Sequence, residues 1–408
     1  MAGKLCVYVG KELAGHFEHS DDAVRFSYRP GYDGPPVFLN LPLAKKEKVW
    51  KGFSPVLDGL LPEGVLLEQL LTTRKLDRSD KWGQLEAVGR DLTGFLTITP
   101  EGEIPGEEAP EVHLAEKRVA RTKIQPGNHA LPYPVADLVT FHSRVSPKMS
   151  LSGVQPKVSA VFSRKEGAFQ MVEERGSYIL KPSPQAYPYA AANEALTMHL
   201  ARQVGLDVPH CGLAWTSDQS PVFWIERFDR QGAGNRTRLR VEDFCQLLEV
   251  PASWRYHGNL ETLARVIREN TSNPILQLAR LFERVVFNWV VGNGDMHLKN
   301  WSLMENGPLI ELAPAYDFLN TSIEVADEEE SALELDDRKS GWDRKLLVEG
   351  FGRDICELQP ARMNRFLQTL AQLDWQTAVQ SSSLPEERKS QYQQVVTERL
   401  SRLGLDGV

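Results

Sequence analysis

The sequence predicts an α+β fold: a small α+β amino-terminal subdomain, a β-rich lobe and a mostly helical lobe. Three observations predict it. Strand-like segments gather before residue 230, helical periodicity dominates after Val241, and a proline-rich stretch divides the strands into two groups.

In the first group, Lys4–Val9 and Val24–Tyr28 alternate as strands do, and Gly31–Pro36 is turn chemistry. Leu60-Leu61-Pro62-Glu63-Gly64 leads into a helix over Val65–Leu71, and Gly89-Arg90-Asp91 precedes a strand over Leu92–Thr99. Residues 101–135 carry prolines at 105, 110, 126, 132 and 134 and read as a linker. In the second group, Val158–Phe162, Phe169–Val172 and Tyr178–Leu180 read as short strands. A helix over Ala190–Val204 follows, with Asn193-Glu194 in its first turn, and Val222–Arg227 returns as a strand. Three strands, a helix and another strand are the parts of a kinase small lobe.

Helices then take over. Pro274–Val291 is the clearest: Asn273 can cap it, Pro274 suits its first turn, and Leu278, Leu281, Phe282, Val285, Trp289 and Val290 share one face. Pro385–Leu403 is a last, largely polar helix. The acidic run Asp327–Glu330 reads as a solvated loop. The domain boundaries expected are 1–105 for the amino-terminal subdomain, 106–134 for the linker, 135–230 for the small lobe and 231–408 for the helical large lobe. Together the last two make a protein-kinase-like bilobal fold.

Composition excludes some function classes. With 41% apolar and 25% charged residues, the 408-residue chain reads as a soluble globular protein. No apolar run is long enough to span a bilayer, and the start lacks the apolar stretch of a secretory leader. Cys6, Cys211, Cys245 and Cys356 are scattered without metal-ligand spacing, which suits reduced thiols in the cytoplasm. A net charge of −8 argues against nucleic-acid binding by bulk electrostatics.

The chemistry concentrates in Asn293-Gly294-Asp295-Met296-His297-Leu298-Lys299-Asn300 and Tyr316-Asp317-Phe318. Asp295 can take a proton from a hydroxyl. Asn300 and Asp317 can hold magnesium on ATP phosphates. Asn-Gly-Asp is also an ordinary tight turn. Between Asn300 and Asp317, however, Trp301–Met304 and Leu309–Glu311 can pair as a hairpin that returns Asp317 to the loop. Lys181, ending the Ser177–Leu180 strand, is placed to contact phosphate, although most strand lysines are solvated edge residues. Glu194 could pair with it, or simply suit an early helical position. Ser152-Gly153-Val154-Gln155-Pro156-Lys157 stands where a phosphate loop belongs. Glu226-Arg227-Phe228 stands where a hinge would pass adenine.

These ordered motifs resemble the HipA-like toxins, bacterial serine/threonine kinases of toxin–antitoxin pairs. The resemblance covers nearly the whole chain. It includes Asp58-Gly59-Leu60-Leu61-Pro62-Glu63, Leu85–Asp91, residues 152–157, Ile225–Arg230, Val241-Glu242-Asp243-Phe244-Cys245-Gln246, Asp295–Asn300 and Pro314–Asp317. It implies Asp295 as proton acceptor, Asn300 and Asp317 as magnesium ligands, and Lys181 on ATP phosphate. It implies Ser152, Gly153, Val154, Gln155, Pro156 and Lys157 as the phosphate loop. Glu226, Arg227 and Phe228 would lie at adenine, with His297, Lys299 and Tyr316 beside the nucleotide. Self-phosphorylation is expected at Ser150, Ser152 or both. Pro156 departs from the usual phosphate loop by removing a backbone donor.

The leading expectation is thus an ATP- and Mg2+-dependent serine/threonine protein kinase acting as a toxin. Its protein substrate would be an aminoacyl-tRNA synthetase. Its partner would be a HipB-like helix-turn-helix antitoxin, with operator DNA reached only through that partner and no membrane association. Two other readings stay open. One is a small-molecule kinase acting on an aminoglycoside or sugar; the other is a non-catalytic co-repressor subunit of a DNA-binding antitoxin.

Overall fold

The computed structural model describes residues 3–20, 22–105, 131–139, 155–172, 176–231 and 237–405. The chain divides into two compact units that interleave in sequence. One comprises residues 1–182 and 213–252; the other comprises 183–212 and 253–408.

The first unit holds two five-stranded sheets. In the first, β1 (Lys4–Val9), β2 (Glu12–Ser20), β3 (Ala23–Tyr28), β4 (Glu47–Lys51) and β5 (Leu96–Pro100) lie in the order β4-β3-β2-β1-β5, all antiparallel. Alternation sets the buried face: along β3, Val24, Phe26 and Tyr28 point inward with Leu5, Val7 and Phe17. Helices Gly64–Arg74 and Lys81–Val88 follow β4, the second capped by the Asp80 carboxylate on the Gly83 N–H. β2 escaped the sequence reading because its Gly15, His16 and Glu18 are poor strand formers; cross-strand pairing on both sides overrides that preference.

The predicted strand over Leu92–Thr99 is shorter and later than expected. Residues 92–95 turn instead, with Gly94 at φ +81 and a tight fit for any Cβ, which would stand 3.2 Å from the Val241 carbonyl oxygen. The turn's carbonyls have other partners. The Arg238 guanidinium donates to the oxygens of Leu92, Gly94 and Leu96, and Arg230 donates to those of Leu92 and Gly94.

In the second sheet, β6 (Val158–Ser163), β7 (Ala168–Met171), β8 (Tyr178–Pro182), β9 (Cys211–Trp215) and β10 (Pro221–Glu226) take the order β7-β6-β8-β10-β9. Val158, Phe169, Leu180, Val222 and Trp224 form its core. A buried ion network joins this sheet to the Gly94 turn. Arg227 grips Asp229 with two hydrogen bonds of 2.9 and 2.8 Å. Arg230 lies 2.7 Å from the same carboxylate and 3.4 Å from Asp91, and the Gly94 N–H donates to Asp229. Burial alone would raise the Asp229 carboxyl, yet the two guanidinium groups hold it well below the usual carboxylate range.

The second unit is mostly helical. It contains Ala190–Gln203, Leu260–Asn270, Pro274–Val290, Pro360–Gln372, Trp375–Gln380 and Glu386–Arg402, with one hairpin of Ser302–Asn306 against Leu309–Leu312. Pro274–Val290 is the core helix. Asn273 caps it by accepting from the Leu276 N–H, and Leu281, Phe282, Val286, Phe287 and Val290 are fully buried. Among the described residues no helix is long and apolar enough to cross a membrane.

Candidate active site

The site in the second unit begins where the core helix stops. Gly292 takes φ +72, the left-handed conformation that terminates helices. Its N–H donates to Trp289 O, and the Asn293 N–H donates to Asn288 O. A Cβ on Gly292 would meet Ser322 Oγ at 2.6 Å and Asn320 Oδ1 at 2.9 Å, so the chain turns here against packed neighbours.

Asn293 then organises the loop from a buried position. Its Nδ2 donates to Asn288 Oδ1 at 2.7 Å and to Asp317 O at 3.4 Å, and its Oδ1 accepts from the Asp295 N–H at 3.2 Å. One amide thus spans both carboxylate-bearing segments. The hairpin does return the chain to the loop. Past it, Tyr316 hydrogen-bonds Ser302 Oγ at 2.6 Å and donates to Lys299 O at 3.1 Å. Asp317 itself sits at φ +57, a conformation that aspartate tolerates better than most residues.

Asp295 is partly buried and its Oδ1 accepts a 2.8 Å hydrogen bond from the Tyr256 hydroxyl. Burial raises its carboxyl above the usual range, and the Asp317 charge adds to that, while the Tyr256 hydrogen bond and Arg255 oppose it. A carboxylate made more basic in this way is better matched to accepting a hydroxyl proton. Asn300 donates its Nδ2 to Asp295 O at 2.8 Å, a carbonyl that also accepts from the His297 N–H. With the nitrogen engaged, Oδ1 is the end of the amide available to a cation. Together with the Asp317 carboxylate it gives an all-oxygen donor set, which fits magnesium. Among the described residues no group of three or more His, Cys, Asp or Glu could hold a metal.

His297 is buried, and its Nδ1 has no hydrogen-bond partner among the described residues. Burial first, and the Arg255 charge second, push the imidazole down to about 3, so it is neutral. Lys299 is buried on the short turn Leu298–Asn300.

The run Asp327–Glu330 is only in part the solvated loop expected: Asp327 and Glu329 are exposed, but Glu328 and Glu330 are half-buried and bonded. Thr321 donates to Glu328, whose carboxyl burial pushes up to about 7 with help from the Asp295 charge. Glu330 accepts from Trp289 Nε1 at 3.0 Å and from Arg402, and it pairs with Arg399 at 2.9 Å. The run escaped because its partners lie as far as 72 positions away. Tyr256, too, lies in no motif, and nothing in its local sequence marks it.

The first unit carries the other predicted residues. Lys181 is 3% exposed on β8, opposite Phe223 of β10, with Nζ 5.5 Å from that ring centre. Gln155 donates to Pro182 O at 3.2 Å, and Pro156 and Lys157 lead into β6. Glu226 closes β10 opposite Tyr178, and the Arg227 N–H donates to Ser177 O. The Arg227 guanidinium is committed to Asp229, so this residue offers only backbone to a passing ligand. Phe228 follows it on the same connection. Glu194 is fully buried in the second unit. Ser150, Ser152, Gly153 and Val154 lie outside the described residues.

Comparisons with known proteins agree on one relationship. Residues 149–398 match the model of the HipA-like C-terminal domain, and residues 5–99 match that of the HipA N-terminal domain. A Haemophilus influenzae relative is 32% identical over 242 residues, spanning 56% of this chain and 69% of its own. The serine/threonine-protein kinase toxin HipA of Shewanella oneidensis is 27% identical over 304 residues, 70% of this chain and 66% of that one. The HipA solved from Shewanella oneidensis with HipB and its operator DNA superposes at a TM-score of 0.71 with 21% identity, covering 98% of this chain and 96% of that one. The fold is the kinase-like α+β fold of that toxin.

Proposed function

The chain belongs to the HipA-like family, and from that premise we propose that it is an ATP- and Mg2+-dependent protein kinase that phosphorylates serine or threonine as a toxin. One observation carries this reading. A single buried amide, Asn293, contacts the Asp295 segment and the Asp317 segment, and Asn300 is tied to the Asp295 carbonyl. This supports reading Asp295 as the base and Asn300 and Asp317 as the oxygen ligands, since one amide ties their segments together.

In the reaction proposed, Asp295 accepts the proton of the acceptor hydroxyl. That hydroxyl oxygen bonds to the γ-phosphorus, and the bridging oxygen leaves with its electron pair on ADP. Asn300 and Asp317 would hold magnesium, which when bound supplies charge neutralisation on the phosphate oxygens. Lys181 would contact phosphate, with Gln155, Pro156 and Lys157 continuing the phosphate loop begun by Ser152, Gly153 and Val154. Glu226, Arg227 and Phe228 would meet the base, and His297, Lys299 and Tyr316 would flank the nucleotide. Neutral His297 contributes shape and a ring nitrogen rather than charge.

The finer assignments follow the family. The protein substrate is proposed to be an aminoacyl-tRNA synthetase in the cytoplasm, so that the toxin stops translation. A HipB-like antitoxin, of the kind solved with the Shewanella HipA and operator DNA, would bind it and carry it to DNA. Self-phosphorylation at Ser150 or Ser152 would silence it, because a phosphate adds about −1.5 to −2 charges beside a site built for ATP. The direct test incubates the full chain with labelled ATP and magnesium, beside an Asp295→Asn control. Label on serine in the wild type alone supports the proposal; equal label in both refutes the assignment of the base.

A further inference from the structure

The Tyr256 hydroxyl donates to Oδ1 of Asp295, the carboxylate proposed above to take the proton of a phosphate acceptor. The bond is 2.8 Å long, and it is the contact an acceptor serine would make with its base. The rest of the residue is arranged for access rather than for packing. Tyr256 is 45% exposed and lies between Trp254, itself 56% exposed, and the Asn259 cap of helix Leu260–Asn270. Its ring meets the His297 imidazole edge-on at 5.1 Å. The backbone beneath it is fixed: the Leu298 N–H donates to Arg255 O, and the Glu334 N–H donates to Gly258 O. The phenol is thus held over Asp295 by an anchored loop while one side faces solvent. It can leave without opening any core.

We propose that Tyr256 is an acceptor gate, a hydroxyl that occupies the base until a serine or threonine displaces it. The inference rests on the kinase reading above and adds selection of the acceptor to it. While the phenol holds Asp295 Oδ1 it competes with water for that oxygen, which slows the loss of ATP to hydrolysis. An acceptor wins only if its flanking chain contributes binding of its own. The exposed Trp254 ring beside the gate is a surface for such a chain.

Full-length wild type, Tyr256→Phe and Tyr256→Phe/Asp295→Asn are compared for binding of a non-hydrolysable ATP analogue and for phosphate release with water as the only added acceptor. The phenylalanine keeps the ring against His297 and removes only the hydroxyl. A gate predicts unchanged analogue affinity, several-fold faster phosphate release in Tyr256→Phe, and loss of that gain in the double variant. Release that is unchanged or slower in Tyr256→Phe overturns the gate, as does phosphotyrosine at position 256 in the wild type. Failure of the kinase reading looks different: neither wild type nor Tyr256→Phe then binds the analogue, and both claims fall together.

Discussion

Asn193 and Asn320 hold each other through two reciprocal hydrogen bonds: Asn193 Nδ2 donates to Asn320 O at 2.8 Å, and the Asn320 N–H donates to Asn193 Oδ1 at 2.9 Å. Both residues are fully buried. Asn320 lies three residues beyond Asp317, so this clasp fixes the segment that carries the second candidate metal ligand. Replacing Asn193 with leucine strands a backbone N–H and a carbonyl. It is expected to cost roughly 1–3 kcal/mol for each group left unpaired. Urea unfolding measures the loss, and magnesium-dependent ATP binding should weaken with it.

Gly292→Ala places a methyl group at a positive φ and against Ser322 and Asn320. Strain at such a φ with overpacking is expected to cost about 1–3 kcal/mol. A thermal melt should show the lower midpoint. Gly404→Ala, also at positive φ but with open space around it, separates the backbone part from the packing part.

Asp295→Asn keeps the size of the side chain and removes its basicity. Phosphate transfer is expected to fall by about 10²–10⁴-fold, the usual contribution of general base catalysis. Analogue binding and the circular-dichroism spectrum should be retained. An unchanged transfer rate would exclude Asp295 as the base.

Asp229→Ala removes the carboxylate that two buried arginines share. Leaving buried Arg227 without that carboxylate, and Arg230 with only Asp91 at 3.4 Å, is expected to cost roughly 3–5 kcal/mol. The loss belongs to the first unit, because every partner in the network lies there. Limited proteolysis should cut the Gly94 turn first.

Acid should weaken the Glu330 anchor. Burial favours the neutral carboxyl, but hydrogen bonds from Arg402 and Trp289 and the Arg399 charge win and hold it at about 2, below its ordinary 4.5. A depressed folded value means that the stabilisation is present above the unfolded value and is lost as pH falls from about 4.5 toward 2. Wild type should therefore lose stability through that window more steeply than Glu330→Gln, which is less stable at neutral pH. Parallel acid slopes in urea titrations would count against the anchor.

Much of the fold was legible because its signals are local. Asn273-Pro274 and a one-faced apolar stripe specify the core helix, and short runs of strand-forming residues specify β1, β3 and β6 almost to the residue. The hairpin was legible from Asn306-Gly307 between two apolar runs. What escaped depends on partners remote in sequence. β4 gains its place by pairing with β3, with Lys48 and Trp50 hydrogen-bonded to Glu249 some 200 positions on. The Gly94 turn looked like a strand because its satisfying guanidinium groups come from Arg230 and Arg238. At the candidate site, spacing named Asp295, Asn300 and Asp317. It could not name Tyr256 or Asn193, whose roles come from where their loops return in space.

Interleaving of the two units constrains how the chain is made. Residues 183–212 leave the ribosome before 213–252 have finished the first unit, and they wait for partners that begin at Ser253. The wait is long: the buried Thr197 hydroxyl bonds to Tyr392, 195 positions later. A chain folded this way therefore leaves residues 183–212 without their last partners until the helix Glu386–Arg402 has been made.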